Sequence, residues 1–435
     1  MDNNKKNIDL ELKKSLIKRL HRKNRGIKMS VLASLFIPGI ISLIIIGLHS
    51  DKLITSKIKL ALILLLAVLV VMLVSGFMMY YKNRKIRKKK KLKPIFKYIY
   101  IFVMAVYIFT CTGVLFLLYG PYVQFRDWLV TTAMATMDHK HYCTWFYNQK
   151  EIDEVFSRNY IQEPSGLTDT NLVNTEKTEP VVEYANEYER EVLEHKEGEK
   201  YKIINLEVNG CKGYLAVIYD PSEVRVTTTD QVGVRGQYVT TMAKRENAYV
   251  AINGAGFHDP NYTSSGGSPK GITIASGKIV TNNEYGRNPT GGLIGFTKDN
   301  KLVLWRDVTN AQEALRRGIR DAVSWGPYLV VNGEPAFTSG NGGWGYAART
   351  AIGQRADGVV LLLVVDSNYN RTKGADMSDM TDIMVRYGAI NASNLDGGTS
   401  SVMVVNGNLI SKPINSALEN ETRPIATSII ASSTK

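Results

Sequence analysis

Ile390-Asn391-Ala392-Ser393-Asn394-Leu395-Asp396-Gly397-Gly398-Thr399-Ser400-Ser401-Val402-Met403-Val404-Val405 joins a short apolar approach to one carboxylate, two glycines, three hydroxyls and an apolar strand. Gly397 and Gly398 permit positive φ and let neighbouring backbone N–H groups turn toward one point, while Thr399, Ser400 and Ser401 add donors beside them. The stretch reads as an oxygen-binding pocket. A hairpin turn with a polar Asp-Gly tip is the plain alternative.

Outward from this stretch, residues 200–435 alternate short apolar runs with Gly and Asn-Gly turns. Strands are expected at Ile203–Val208, Gly213–Tyr219, Val224–Thr228, Ala248–Ile252, Gly271–Ala275, Leu293–Thr297, Leu302–Trp305, Tyr328–Val331, Val359–Val365 and Val402–Val405. Helical periodicity is confined to Gln237–Arg245, Ala311–Arg317 and Met377–Tyr387. In the last, Met377, Met380, Ile383, Met384 and Tyr387 share a face, and Asp376 with Asp379 forms an acidic capping box. The pattern predicts an α+β domain dominated by sheet.

The first third is different material. Of 54 Lys+Arg and 40 Asp+Glu, residues 1–120 hold 23 and 4, a charge of +19, so the rest carries 31 against 36, or −5. The basic residues flank three apolar runs, 29–48, 60–80 and 98–118, each near the roughly 20 residues a membrane helix needs. Ten Lys/Arg precede the first run, three lie between the first two, and ten lie in 82–97. Positive-inside bias then expects a cytoplasmic N-terminus and an extracytoplasmic remainder. The charge reads as topology and not as a nucleic-acid surface. Residues 121–148 suit an interfacial helix, with His139 and His141 as solvated histidines. The acidic stretch 149–199, whose residues 149–198 hold 13 Asp+Glu against 5 Lys+Arg, reads as a polar linker carrying a helix near 184–195.

Other polar clusters fall at expected strand ends. Asn253 opens Asn-Gly-Ala-Gly-Phe and either presents its amide to a ligand or caps a turn. Trp325, in Ser324-Trp325-Gly326-Pro327, is either a stacking platform or core. Gly340–Gly345 spells G-x-G-x-x-G without the strand-to-helix context of a dinucleotide site and suits a lid loop. Arg349, at the mouth of Arg349-Thr350-Ala351-Ile352-Gly353, offers a planar fork suited to a phosphate, or to an ordinary ion pair. Asp366 follows a buried strand. No cofactor motif occurs, and a divalent cation is left open; Cys143 and Cys211 could in principle pair. A serine hydrolase is disfavoured because no G-x-S-x-G elbow exists and His258 is the only histidine after residue 200.

In this order, Asn253–Phe257, Ser324–Pro327, Arg349–Gly353, Val364-Val365-Asp366, Gly374-Ala375 and Asn394–Ser401 resemble the phosphodiester glycosidase family over Tyr201–Ser433. The N-terminal runs are similar to membrane-anchored bacterial members labelled exopolysaccharide-associated. The resemblance implies hydrolysis of a sugar-1-phosphodiester in an envelope glycan, exopolysaccharide or teichoic-acid-like polymer. Ser367-Asn368 after Asp366, and Asp376 at the helix cap, depart from the family's usual residues. Beside that resemblance, Asp396 and Asp366 are expected at the anomeric centre and its water, with Asn253 and Thr350 orienting hydroxyls. Arg349, Gly397, Gly398, Thr399, Ser400 and Ser401 are expected around the substrate and its phosphate. A non-catalytic glycan-binding module using the same pocket is the second reading.

Overall fold

The computed structural model describes residues 11–18, 102–119 in part, 120–136, 140–176, 183–259, 266–283, 291–368, 372–412 and 422–433. The chain divides into one unit of Met1–Leu129 with His141–Asp153 and another of Val130–Lys140 with Glu154–Lys435. The expected spans 29–48 and 60–80 lie outside the described residues. The described parts of 102–119 are helical, and among the described residues no helix is long and apolar enough to cross a membrane. In the first unit, Tyr147 donates to the Leu118 carbonyl and Tyr119 to that of Phe146, at 2.9 and 2.8 Å.

The second unit is built on a seven-stranded antiparallel sheet. Its order is Glu334–Pro335, Tyr328–Val331, Ala389–Asn394, Arg349–Arg355, Val360–Val365, Cys211–Ile218 and Tyr201–Val208. Val360–Val365 is apolar at every position because both faces of the sheet are covered. Leu361, Leu363 and Val365 join Leu215 and Val217 under the helix Met377–Arg386, which contributes Met377, Met380, Ile383 and Met384. Leu362 and Val364 face the other way, against Ile252, Val226, Met403 and Ile429 of a five-stranded sheet. That sheet runs Asn408–Leu409, Met403–Val405, Val250–Asn253, Thr427–Ala431 and Val224–Thr228. A third sheet, Leu302–Trp305, Gly292–Thr297, Ile319–Trp325, Ile272–Ala275 and Lys278–Asn282, adds Ile294, Phe296, Leu302 and Leu304 to the same core.

All ten expected strands are present within a residue or two, and so are the three helices. The Asp376 carboxyl accepts from the Asp379 amide and the Asp379 carboxyl from the Asp376 amide, both at 3.0 Å, completing the capping box. Among the described residues eleven further strands lie outside those expectations, the longest being Ile319–Trp325, Arg349–Arg355, Ala389–Asn394, Lys278–Asn282 and Thr427–Ala431.

Two expectations need correction. The single interfacial helix over Phe125–Phe146 is two helices, Val123–Met134 and Lys140–Thr144. The first ends where the Thr136 hydroxyl takes the Ala133 carbonyl at 2.8 Å; His139 lies outside the described residues. The expected tether 149–199 is folded over most of its described length. After the helix Gln149–Arg158, Tyr160–Gln162 pairs with Phe337–Ser339. The Glu163 carboxylate accepts from Arg306 Nη2 at 2.6 Å, the Tyr328 amide at 2.6 Å and the Gly291 amide at 2.7 Å. Thr168 Oγ1 accepts from the Leu304 amide at 2.8 Å. The helix near 184–195 is Glu187–Leu193, with Val192 buried. Acidic composition argued for solvation, but several of these carboxylates find basic or amide partners on the domain. Cys143 and Cys211 are both free thiols.

Candidate functional site

Strand register gathers the candidate residues at one end of the large sheet. Arg349 pairs with Val365, so Asp366 begins just beyond it. On the other side Ala351 pairs with Asn394, Leu395 N bonds to Thr350 O at 2.8 Å and Gly398 N to Ala348 O at 2.8 Å, which carries Asp396 alongside Arg349. With strands about 4.8 Å apart, the main chain at Asp366 and Asp396 stands roughly 10 Å apart across Arg349. The 398 turn needs glycine: Gly398 has φ +63°. At Gly397 a side chain would press on the Ala348 carbonyl, 3.1 Å from the Cβ position.

Asn253 ties this edge to the second sheet. Fully buried, it accepts through Oδ1 from the Thr350 hydroxyl at 2.7 Å and the Val402 amide at 3.1 Å, and donates through Nδ2 to the Asp396 carbonyl at 2.7 Å. The Asp396 amide meets the Gly254 carbonyl at 3.2 Å. Asn253 and Thr350 therefore set the path of the Asp396 turn; the protein itself occupies both ends of the Asn253 amide.

Burial pushes the Asp396 carboxyl above the ordinary carboxylate range; Ser400, the charge of Arg423, the Gly397 amide at 3.1 Å and the charge of Lys270 act against it. The Ser400 hydroxyl stands beside the carboxyl but outside strict hydrogen-bond geometry, and the Ser401 hydroxyl is buried with no hydrogen-bond partner among the described residues. Thr399 Oγ1 accepts from Arg423 Nη1 at 3.2 Å. Asp366, also buried, accepts from the Lys412 amide at 3.0 Å, and burial raises its pKa to about 6. Asp376 rises to about 6 by burial as well, with the Arg349 charge among the effects opposing the rise.

Arg349 is buried, and its Nε reaches the Ala375 carbonyl at 3.2 Å while Nη2 reaches those of Trp344 and Gly345 at 2.7 Å each. It secures the Gly340–Gly345 loop, which is also held where Asn341 donates to Thr131 Oγ1 at 2.9 Å. The six-membered ring of Trp325 packs against Gly256, where a side chain would collide with it. Arg423, Lys270 and Asp259 were not among the expected residues. Each basic residue sits just ahead of a strand-forming apolar run, in Lys270-Gly271-Ile272 and Arg423-Pro424-Ile425, a pattern too common to single out.

Among the described residues no group of three or more His, Cys, Asp or Glu could hold a metal ion. A separate hollow of about 390 Å³, lined by Lys200, Tyr201 and Tyr249 among others, opens at the opposite end of the large sheet and gathers none of the candidates.

The sequence profile of the phosphodiester glycosidase family matches residues 246–432. The SPbeta prophage-derived uncharacterized protein YomE of Bacillus subtilis is 30% identical over 196 residues, 44% of this chain and 29% of YomE. The N-acetylglucosamine-1-phosphodiester alpha-N-acetylglucosaminidase of Bos taurus is 36% identical over 74 residues, 17% of this chain and 14% of that enzyme. The chain thus spans less than a third of either relative. Among solved structures, the zebrafish N-acetylglucosamine-1-phosphodiester alpha-N-acetylglucosaminidase catalytic domain, auto-inhibited by its pro-peptide, aligns with a TM-score of 0.46 at 21% identity. That alignment covers 61% of this chain and 98% of that one. Asn253, Lys270, Arg349, Asp366, Asp396 and Arg423 all fall inside the matched region, and over residues 246–432 this chain is similar to the phosphodiester glycosidase family.

Proposed function

We propose that the chain is a membrane-anchored, extracytoplasmic glycosidase that hydrolyses a sugar-1-phosphodiester in a cell-envelope glycan, exopolysaccharide or teichoic-acid-like polymer. The observation that carries the reading is the half-buried Asp396 carboxyl, held above the ordinary carboxylate range by desolvation, with the Ser400 hydroxyl and the charges of Arg423 and Lys270 acting on it at the meeting of two sheets. In the reaction, water oxygen bonds to the anomeric carbon and the carbon–oxygen bond to phosphate breaks with its electron pair on the phosphate. The proton shed by water ends on the carboxylates and then on solvent or product. Such a centre needs a carboxylate to stabilise the oxocarbenium-like transition state and fixed donors for the departing anion. Asp396 serves the anomeric carbon and Asp366 the attacking water, while Asn253 and Thr350 position the Asp396 turn.

Anchoring is supported by the three apolar runs and their Lys/Arg flanks. It is further supported by large apolar side chains left exposed on the helical residues of the third run, Phe102 at 69% and Phe109 at 80%. The test is to incubate the full chain, in detergent or nanodiscs, with a panel of sugar-1-phosphodiesters and assay free sugar and phosphomonoester. Asp396→Asn should lose about 100-fold or more in turnover. Saturable binding without product by the wild type would favour the glycan-binding module instead.

A further inference from the structure

We propose that the end of the helix Val123–Met134 holds the Asp396 turn in place by way of the Gly340–Gly345 loop and Arg349, so that Thr131 and Asn341 are positioning residues for the reaction. The proposal rests on the glycosidase reading above and names what supports its site.

By sequence the Gly340–Gly345 loop suits a lid, yet it is clamped from two sides. On one side Asn341 Nδ2 donates to Thr131 Oγ1 at 2.9 Å, and Gly345 lies so close to the helix end that a side chain on it would stand 2.7 Å from Thr132 Oγ1. On the other, the Asn341 amide donates to Asn159 Oδ1 at 3.2 Å, Ser339 Oγ donates to the Arg158 carbonyl at 3.0 Å, and a side chain on Gly343 would stand 2.8 Å from the Asn159 carbonyl. The loop is also closed on itself, because Asn341 Oδ1 accepts from the Gly343 amide at 3.1 Å. Residues 130–140 belong to the same compact unit as the sheets, and Val130, Thr131 and Asn159 are all buried. Buried polar side chains are bonded, and here their bonds run into the loop.

From the loop the support passes inward. The carbonyls of Trp344 and Gly345 each accept from Arg349 Nη2 at 2.7 Å, and that of Ala375 accepts from Nε at 3.2 Å, so the guanidinium sits where the loop puts it. Bonds from a charged donor are stronger than neutral ones, which makes this link stiff. Arg349 Nη1 is then 3.4 Å from the place a Gly397 side chain would take, and the Ala348 carbonyl accepts from the Gly398 amide at 2.8 Å. Asp396 immediately precedes those two glycines. A displacement of about 1 Å in a reacting group can cost about 100-fold in rate, so a loop that slackens at Thr131 reaches the reaction through Arg349 and Gly397.

The test uses full-length Thr131→Val and Asn341→Ala on a sugar-1-phosphodiester that the wild type cleaves. Each should lower kcat about tenfold while KM changes only a few-fold, and Thr131→Ser, which keeps the hydroxyl, should restore most of the rate. The double variant should lose no more than the larger single loss, because both substitutions remove the same bond. A lowered Tm with kcat unchanged, or losses that simply multiply in the double variant, would overturn the assignment. Hydrogen exchange gives a readout that needs no turnover. In Thr131→Val, peptides covering 340–345 should exchange at least about tenfold faster, and those covering 396–401 should quicken with them. Faster exchange confined to 340–345, or no change in either, rejects the link. If the wild type cleaves no sugar-1-phosphodiester, the glycosidase reading fails while the exchange still decides whether the helix end holds the turn.

Discussion

Asn253→Ala provides the sharpest test of how the site is held. The substitution removes an amide whose two ends serve three groups: the Thr350 hydroxyl, the Val402 amide and the Asp396 carbonyl. The hydroxyl can rotate to another acceptor, but the two main-chain groups are buried and fixed. Leaving a buried polar group unpaired costs about 1–3 kcal/mol, so two orphans, with some relief from an entering water, amount to about 3 kcal/mol. For a domain of this size that corresponds to a fall in Tm of roughly 6–12 °C. Thermal unfolding of the full chain in detergent, followed by Trp fluorescence, measures it. Asn253→Asp separates the donor from the acceptor. It keeps the oxygen facing Thr350 and Val402 but turns a second oxygen on the Asp396 carbonyl, so the turn should be displaced and kcat should fall more than KM rises. If Asn253→Asp kept the wild-type Tm and turnover, the argument that Asn253 positions Asp396 would be refuted.

Two further outcomes follow from the packing and the buried carboxyls. Glu163→Ala strands the Arg306 guanidinium and two amides; it should cost about 3–5 kcal/mol, read as a lowered Tm, whereas a freely solvated linker would tolerate the change. Asp366 has its pKa raised from 3.8 to about 6 by burial, so between those values the unfolded chain has released a proton that the folded one retains. Stability is therefore lost as pH rises from about 4 to 6 and is level above that, by an amount on the order of 3 kcal/mol. Asp366→Asn should flatten that slope and stabilise the protein at pH 7 while removing activity; an unchanged pH dependence of Tm would contradict the burial argument.

Residues that announce their environment locally were legible from the sequence. Val360–Val365 can only be a strand covered on both faces, and Met377–Arg386 carries its own cap and one apolar face. The glycines and hydroxyls after Asp396 mark a turn with converging donors whatever surrounds it. Ala389–Asn394 and Arg349–Arg355 are less legible because they bury polar side chains. Ala389–Asn394 alternates no apolar pattern because Asn391 receives the Asn332 amide and Asn394 donates to the Gly326 carbonyl, partners 59 and 68 positions away. The acidic stretch after 149 was misread for the same reason, since the partners of Glu163 lie more than 120 residues downstream.

The linear order of residues was enough for the alternation of strands and turns, the family resemblance, the basic flanks of the apolar runs and the glycine-hydroxyl turn that follows Asp396. Only the tertiary structure decided which cation stands beside that carboxylate. A charge acts through space and a hydrogen bond through direct contact, so Arg423 and Lys270, separated from Asp396 along the chain, act on its carboxyl only once the fold brings them together, while Arg349 is bonded to the carbonyls of Trp344 and Gly345.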